Sequence, residues 1–383
     1  MNNFYASVEC LYRPEIRDFP VAVAGDPLNR HGIILAKNML AKKLGVKTGE
    51  AIWQAKLKAP NLVTVPPDFR KYLKFSRLAR QILYDYTDQI EPFGIDENWI
   101  DVTGSKLLCG DGSAIANSIR QRIKEELGIT VSIGVSFNKI FAKLGSDMKK
   151  PDAVTVISRE NFKQKVWPLP VENMLFVGKK TVEKLNSLGA FTVRDVTEMS
   201  DETLKYMFGK NGLELKKYAM GEDDSPIISF EKKEKPKSVG RSVTESEDFT
   251  DNDAVWQTFI ILAEDISKNL RRYNLFAAGI QVHTRNSELA VREFSHALDT
   301  PTDISIVIAE AGMKLFKENY YWDLPLRSVG LRAINLRQDV TAVQQDLFSD
   351  LESQKKLEKI EDSIHSIRKK YGDTSIKRGR TIK

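Results

Sequence analysis

The feature of this sequence that most restricts its fold is the order of hydrophobic periodicities between residues 238 and 337. Four segments have the pattern of strands, and two have the spacing of amphipathic helices. In chain order they are a strand at 238–244, a helix at 253–272, strands at 277–284 and 289–297, a helix at 303–317 and a strand at 328–336. This β-α-β-β-α-β order predicts a ferredoxin-like domain with the split βαβ arrangement.

The rest of the chain predicts further domains. Helical and strand patterns alternate over roughly the first 150 residues, which predicts an α/β layer. The stretch SFEKKEKPK at 229–237 is charged, contains proline and has no periodicity, as is typical of an interdomain linker. We therefore predict an α+β multidomain protein. Its parts are a unit at 1–165, a short helical unit at 166–228, the linker, the ferredoxin-like domain at 238–337 and a tail at 338–383 with a helix at 351–370.

The composition excludes several classes of protein. The chain has 383 residues, of which 42% are hydrophobic and 29% charged, as in ordinary globular proteins. No apolar run approaches the roughly 18 residues of a membrane span, and the N-terminus lacks a secretory pattern. Two cysteines and four histidines in no metal-ligand spacing argue against a zinc site or a disulfide scaffold. We expect a reducing, cytoplasmic location and no membrane partner.

The positive charge is concentrated at the C-terminus. The net charge is +6, and residues 368–383 contain seven basic residues and one acidic residue, so this segment alone carries the whole excess. A basic tail indicates a polyanionic partner, although a solvated terminal segment explains the same pattern.

Two adjacent carboxylates, Asp96 and Glu97, lie between apolar strand-like residues in FGIDENWIDVTG (93–104). Neighbouring residues on a strand point to opposite faces, so both carboxylates converge only at a bend such as a hairpin tip. Converging carboxylates repel unless a cation lies between them, and Mg²⁺ is usually held by carboxylates together with substrate phosphates. Two such ions serve in-line nucleotidyl transfer. An Asp–Glu pair is common, and a turn-forming Asp96 is the alternative.

Four motifs in order carry a family resemblance. They are NNFYASVEC (2–10), the Asp96–Glu97 segment, SIGVSFNKIFAKLGSDMKKP (132–151) and LFVGKKTVEKLNSLGAFTVRDV (175–196). Together they resemble the Y-family of translesion DNA polymerases, with the greatest likeness to the SOS-induced UV-damage-repair branch of bacteria. The resemblance covers nearly the whole chain. It implies a right-hand polymerase with palm and fingers at 1–165 (fingers at about 18–68), a helix-hairpin-helix thumb and a little finger.

The resemblance also implies the catalytic residues. Asp96 and Glu97 match the palm carboxylates that hold two Mg²⁺ ions, together with the backbone carbonyl of Met1. Tyr5 matches the steric gate, an aromatic ring under the sugar that clashes with a ribose 2′-hydroxyl, and Phe4 lies beside it. Core packing on an amphipathic helix is the alternative for both rings.

Two lysines match residues that contact the incoming triphosphate. Lys150 acts as a point charge near phosphate oxygens, with a solvated surface charge as the alternative. Lys42 and Met39 stand in NMLAKKLGVKTG (38–49), where the family commonly has an Arg and a Tyr. Lys42 keeps the positive charge of Arg but cannot form two parallel hydrogen bonds as a guanidinium does, so we expect either weaker nucleotide binding or triphosphate contacts from other residues.

Further positions are implied to contact DNA. Gly178, Lys179 and Lys180 begin the helix-hairpin-helix, where backbone N–H groups approach a phosphate. On or beside strands of the little finger, three arginines are expected to reach DNA phosphates, with solvated side chains as the alternative; they are Arg241, Arg285 and Arg332.

The pentapeptide QQDLF (344–348) resembles the bacterial peptide that binds the sliding clamp. Leu347 and Phe348 would fill an apolar pocket, and Gln344 would form a hydrogen bond at its edge. A segment that folds back on the protein is the alternative. The expected partners are therefore primer–template DNA, deoxynucleoside triphosphates and the sliding clamp (beta subunit), bound by a monomer at the nucleoid.

The sequence departs from the family at its start. The family pattern has a short apolar strand that ends in a third metal-binding Asp immediately before the position of Met1. Asn2 and Asn3 are neutral amides, and Glu9 is expected further along the helix and facing away. We therefore expect a truncated form of a longer gene product that retains DNA and clamp binding but has greatly reduced polymerase activity.

Two other functions remain open at this point. The first is a non-catalytic DNA- and clamp-binding protein that competes with active polymerases at stalled primer ends. The absent Asp favours it, and the intact Asp96–Glu97 pair counts against it. The second is a palm-fold enzyme that makes cyclic nucleotides, which the helix-hairpin-helix and the clamp-like peptide disfavour.

Overall fold

The computed structural model describes residues 1–26, 32–229, 235–338, 351–372, 375–376 and 378–379. The chain divides between residues 233 and 234 into two compact units. The division lies inside the charged stretch at 229–237. None of the described helices is both long enough and apolar enough to cross a membrane.

The first unit contains mixed helices and strands followed by a run of helices at its C-terminal end. Its helices are α1 (Phe4–Tyr12), α2 (Met39–Lys43), α3 (Ile52–Lys58), α4 (Phe69–Tyr84), α5 (Lys106–Cys109), α6 (Gly112–Leu127), α7 (Lys139–Met148), α8 (Phe162–Val166), α9 (Lys179–Ser187), α10 (Val193–Glu198), α11 (Asp201–Phe208) and α12 (Lys210–Met220). Its strands are β1 (Val21–Ala24), β2 (Ile34–Lys37), β3 (Val63–Val65), β4 (Ile90–Pro92), β5 (Asn98–Ile100), β6 (Ile133–Ser136) and β7 (Val154–Ile157).

The first sheet along the chain is small and has its own core. Strand β1 is central, antiparallel to β2 and parallel to β3. All four residues of β1 are buried, as the apolar run predicts. The side chain of Asn38 accepts a hydrogen bond from the Ala41 N–H and so begins α2. This region corresponds to the predicted fingers.

The next layer corresponds to the predicted palm. Helices α1, α4 and α6 pack around a core that includes Val8, Tyr72 and Ile119. Strands β4 and β5 form an antiparallel hairpin, and β6 and β7 form a separate parallel pair. The residues of β5 and β6 line a cavity of about 200 Å³ together with apolar side chains of α4 and α6.

The segment from α8 to α12 corresponds to the predicted thumb. Its core includes Val171, Leu185, Val193 and Leu215 and continues into α7. Helices α9 and α10 are joined by a short turn in which Gly189 has a φ of +82°, a conformation that favours glycine. The helix-hairpin-helix prediction is confirmed.

The second unit contains the element order predicted at 238–337. The elements are β8 (Val239–Phe249), α13 (Asn252–Tyr273), β9 (Ala277–Asn286), β10 (Val291–Thr302), α14 (Ser305–Asn319) and β11 (Leu326–Ile334). The strand order in the antiparallel sheet is β10-β9-β11-β8. Strand β11 lies between β8 and β9, and β9 lies between β10 and β11, so both βαβ crossovers are split as predicted.

The C-terminal tail contains α15 (Leu351–Tyr371), which confirms the predicted helix. Two of its basic residues form ion pairs within their own unit, since Arg368 and Arg378 each lie 2.9 Å from Glu264 on α13. Arg378 also pairs with the buried Glu361 at 2.9 Å. These two arginines are therefore paired with acidic residues of the same unit. For these two residues, this arrangement differs from both interpretations of the basic tail, a solvated segment and a segment that binds a polyanion.

Candidate active site

The Asp96–Glu97 pair lies at the tip of the β4–β5 hairpin. The strands are joined by residues 93–97, and the Phe93 N–H donates a hydrogen bond to the Glu97 carbonyl at 2.9 Å. Gly94 has a φ of +90°, which the tight bend requires. Both carboxylate side chains are 33% exposed. The tip position predicted from the sequence is confirmed.

Each carboxylate faces a cation. The Met1 ammonium donates to the Asp96 carbonyl at 2.9 Å and lies 3.7 Å from Asp96 Oδ2. Burial lowers the pKa of the Met1 amine, and the charges of Asp96 and Glu97 oppose that shift. On the other side, Lys143 Nζ donates to Glu97 Oε1 at 2.7 Å. The tip is therefore a place where positive charge neutralises two carboxylates.

A chain of ion pairs runs along α7 from Glu97 to Lys150. Lys143 Nζ lies 3.0 Å from Asp147 Oδ2, and Lys150 Nζ lies 2.6 Å from Asp147 Oδ1. Burial alone would lower the pKa of Lys143, but its hydrogen bonds to Glu97 and Asp147 raise it. Burial alone would raise the pKa of Asp147, but its hydrogen bonds to Lys150 and Lys143 lower it.

Lys143 is a residue that the sequence reasoning missed. The signal was present, because Lys143, Asp147 and Lys150 are spaced by four and three residues, which places them on one face of a helix and its end. What the sequence could not show is that this face lies against the β4–β5 tip.

The donor set fits a divalent cation that also binds substrate. Met1, Asp96, Glu97, Lys143 and Lys150 line the same cavity. Among the described residues, no group of three or more Asp, Glu, His or Cys side chains is arranged to hold a metal. Two carboxylates with the remaining positions left to phosphate oxygens and water are typical of Mg²⁺ sites in nucleotidyl transfer.

Glu9 does not contribute to this set, as expected. Its carboxylate is fully buried and binds Lys71 Nζ and the Tyr72 hydroxyl, each at 2.9 Å. Glu9 therefore belongs to the interior of the palm, where α1 meets α4.

Tyr5 and Phe4 are neighbours at the start of α1 that differ in burial, with ring centroids 5.7 Å apart. Tyr5 is half-buried and stacks on Tyr72, with ring centroids 4.2 Å apart and ring planes at 12°. Its edge meets Phe69 in a T-shaped contact at 5.8 Å. Burial and the charge of Asp96 raise the pKa of the Tyr5 hydroxyl. Phe4 is 4% exposed within the core, as the packing alternative describes, so its contact with nucleotide stays a prediction.

Lys42 lies on α2 in the fingers, exposed and outside this cavity. Burial and the charge of Lys42 lower the pKa of Lys37, which Glu50 opposes, so the two lysines are neighbours on this surface. Met39 lies between them in the sequence and is half-buried.

The thumb residues are exposed. Gly178 immediately precedes α9, followed by Lys179 and Lys180. A Cβ placed on Gly178 would meet no atom within 4 Å, so the approach to this backbone is open.

The three arginines of the little finger do not share one face. Arg332 is opposite Gln281 in the β11–β9 ladder, and Arg285 lies on the same outer face of β9. Arg241 is instead opposite the buried Leu331, and its Nε lies 3.6 Å from Asp265 on α13. Its place in the strand alternation puts Arg241 on the helix side of the sheet, where it remains exposed, and the contact of all three arginines with DNA stays a prediction.

The predicted clamp-binding residues Gln344, Leu347 and Phe348 lie outside the described residues. Their role stays a prediction from the sequence.

Comparison with known proteins identifies the family. The impB/mucB/samB family matches residues 1–147, and the C-terminal domain of the same family matches residues 236–347. A DNA polymerase IV of Acetivibrio thermocellus is 47% identical over 379 residues, which cover 99% of this chain and 95% of the relative. DNA polymerase IV 1 of Bacillus subtilis is 37% identical over 386 residues, covering 100% of this chain and 92% of the relative.

A solved structure has the same fold. The Y-family DNA polymerase chimera Dbh-Dpo4(243-245)-Dbh has a TM-score of 0.77 at 25% identity, covering 88% of this chain and 97% of the solved chain. Sequence relatives and fold agree over nearly the full length, and the chain therefore belongs to the Y-family of translesion DNA polymerases.

Proposed function

We propose that Asp96 and Glu97 are the metal-binding residues of a DNA-directed DNA polymerase that adds deoxynucleotides to a primer 3′-end opposite damaged template, in DNA repair and the SOS response. Y-family polymerases use divalent metal ions, and we assign two Mg²⁺ ions here, with the Met1 carbonyl as a further ligand. The observation that carries the proposal is the pair of partly exposed carboxylates at one hairpin tip, which line one cavity together with Lys143 and Lys150. When bound there, such ions would activate the attacking 3′-hydroxyl and stabilise the negative charge of the leaving pyrophosphate.

Lys150 is proposed to contact the triphosphate of the incoming nucleotide. Asp147 holds the Lys150 ammonium at 2.6 Å, and Lys143 holds Asp147 in turn. A point charge that is oriented before substrate arrives stabilises developing negative charge without reorganisation. Lys42 is proposed as a second triphosphate contact from the fingers.

Tyr5 is proposed to exclude ribonucleotides. Its half-buried ring is held by aromatic neighbours on two sides, so it can serve as a rigid wall beneath a sugar. Phe4 supports the start of the same helix from within the core.

Each part of the chain is proposed to have its own role in the polymerase. Residues 1–165 form the catalytic palm and fingers, 166–228 the thumb and 238–337 the little finger, joined through 229–237. The thumb residues Gly178, Lys179 and Lys180 meet the DNA backbone, and Arg285 and Arg332 meet it from the outer sheet face. Residues 338–383 bind the sliding clamp through Gln344, Leu347 and Phe348 while the protein acts as a monomer at the nucleoid.

Primer extension tests the proposed activity. The full chain is incubated with labelled primer–template that contains an abasic site, the four deoxynucleotides and Mg²⁺, and a parallel sample contains a chelator. A second version carries an Asp directly before Met1, because the family pattern has one there. Extension by either version that depends on Mg²⁺ is expected. A gel shift of the primer–template by both versions without extension would instead support the non-catalytic DNA-binding alternative.

The two faces of the little-finger sheet give a matched test of DNA binding. We expect Arg332→Ala to weaken binding of duplex DNA and to reduce the slope of log affinity against log salt by about 1, as for one lost phosphate contact. Arg241→Ala is the control, because Arg241 lies on the helix side beside Asp265. Fluorescence anisotropy over a salt series measures both. Equal slopes for the two variants would contradict the assignment of the outer face to DNA.

A further inference from the structure

Tyr72 connects the ring of Tyr5 to a buried carboxylate. Tyr72 is fully buried in α4, and one face of its ring carries the stacked Tyr5. Its hydroxyl donates to Glu9 Oε1 at 2.9 Å and accepts the Asp68 N–H at 3.2 Å. The ring plane of Tyr72 is therefore fixed at its hydroxyl end by two hydrogen bonds.

Glu9 lies one helical turn beyond Tyr5 on α1. Positions i and i+4 share a helix face, so Tyr5 and Glu9 both meet the same Tyr72 on the facing helix. Glu9 is 0% exposed, and a buried carboxylate is strongly destabilising unless it is paired and hydrogen-bonded. Lys71 supplies the charge at 2.9 Å, and Tyr72 supplies the second hydrogen bond.

This cluster is separate from the carboxylates of the hairpin tip. Glu9 and Lys71 do not line the cavity that contains Asp96 and Glu97. Its contacts lead to the aromatic wall instead, through a stack whose rings are almost parallel. A stacked ring can tilt only by losing that contact, so whatever fixes Tyr72 also fixes Tyr5.

We propose that Glu9, acting through the Tyr72 hydroxyl, is a positioning residue that fixes the ring plane of Tyr5 and thereby sets the discrimination between ribo- and deoxyribonucleotides. The inference rests on the proposed role of Tyr5 beneath the sugar. Ribose differs from deoxyribose by one oxygen, and a clash with one atom discriminates only if the wall cannot retreat. If the Tyr5 ring moves away from the sugar by a fraction of an ångström, the 2′-hydroxyl fits, whereas binding of the deoxynucleotide is little changed.

The test measures nucleotide binding rather than turnover. The full chain is bound to a primer–template whose primer ends in a dideoxynucleotide, so no bond can form, and the dissociation constants of dATP and ATP are measured with Mg²⁺ present. The readout is the dissociation constant of ATP divided by that of dATP. This ratio does not depend on the fraction of protein that is folded. Melting temperatures are recorded alongside.

Four variants separate the possible outcomes. Tyr5→Ala is expected to reduce the ratio at least about tenfold, because the wall is removed. Tyr72→Phe keeps the stack but loses both hydrogen bonds of the hydroxyl, and Glu9→Gln loses the carboxylate; each is expected to reduce the ratio about fivefold. Tyr86→Phe is the matched control, since it loses hydroxyl hydrogen bonds, to Ser118 at 2.7 Å and to Arg122, at a ring that packs against the same core. Its ratio is expected to be unchanged.

Two results would overturn the proposal. If Tyr72→Phe and Glu9→Gln keep the ratio of the unmodified chain while Tyr5→Ala loses it, the cluster has only a structural role and the proposed role of Tyr5 stands. If Tyr5→Ala also keeps the ratio, Tyr5 does not select the sugar, and the proposal fails with it. A fall in melting temperature without a change in ratio counts toward the first result.

Discussion

Replacement of Asp96 by Asn and Glu97 by Gln in one chain is expected to slow primer extension at least about a thousandfold. The amides keep the size and much of the hydrogen bonding of the carboxylates but lose both negative charges. Lys143, whose charge Glu97 now neutralises, would then leave the hairpin tip positive. A positive tip repels divalent cations, so the chemistry that depends on them is lost. Extension is measured on the same primer–template under saturating nucleotide.

The double replacement is expected to leave the fold intact. Both side chains are one-third exposed, and ion pairs of this kind contribute less than about 1 kcal/mol. Lys143 also keeps its second partner, Asp147, at 3.0 Å. The free energy of unfolding and the affinity for primer–template are therefore expected to change little, which separates a catalytic loss from a folding loss.

A carboxylate further along the same hairpin supplies the control. Asp101 is exposed and accepts a hydrogen bond from the Thr103 N–H at 2.8 Å, beyond the end of β5. Asp101→Asn removes one negative charge at the open end of the hairpin, away from the tip, and extension is expected to stay within about twofold of the unmodified chain. Persistence of extension in the Asp96→Asn, Glu97→Gln chain would contradict the assignment of the catalytic site.

Much of the fold could be predicted because its signals are local. The long helices α6 and α13 carry apolar residues at helical spacing, and Gly128 ends α6 in the left-handed conformation that favours glycine. The six elements of the second unit were predicted within a few residues of their ends, apart from longer strands at β8 and β10. Strand ends depend on cross-strand pairing, which no local pattern encodes.

The site could be predicted only where its residues are close in sequence. Asp96 and Glu97 are adjacent, so a bend alone brings them together. The partner of Glu97, Lys143, is 46 positions away, and the partner of Tyr5, Tyr72, is 67 positions away, so each contact depends on how separate elements pack. The sheet face that Arg241 takes is hidden from the sequence for a similar reason. Strand register decides which face a residue takes, and a shift of one residue reverses it.

Replacement of Gly134 by Ala is expected to have the largest effect on stability. Gly134 lies in β6, and a Cβ there would lie 1.9 Å from the Ala142 carbonyl oxygen and 2.6 Å from the Ser146 nitrogen. Both are backbone atoms of α7, so no side-chain rotation relieves the overlap, and the helix must move away from the strand. We expect a loss of at least about 3 kcal/mol in the free energy of unfolding of the first unit.

The same change is expected to disturb the active site before the unit unfolds. Helix α7 carries Lys143 and Asp147, and its close contact with β6 sets where these side chains meet Glu97. Gly104→Ala is the matched control, because a Cβ there meets nothing within 4 Å, and its expected change is within about 0.5 kcal/mol. Urea denaturation followed by tryptophan fluorescence compares the two midpoints. Equal midpoints would mean that α7 and β6 are not packed backbone to backbone, and the position of Lys143 beside Glu97 would lose its structural basis.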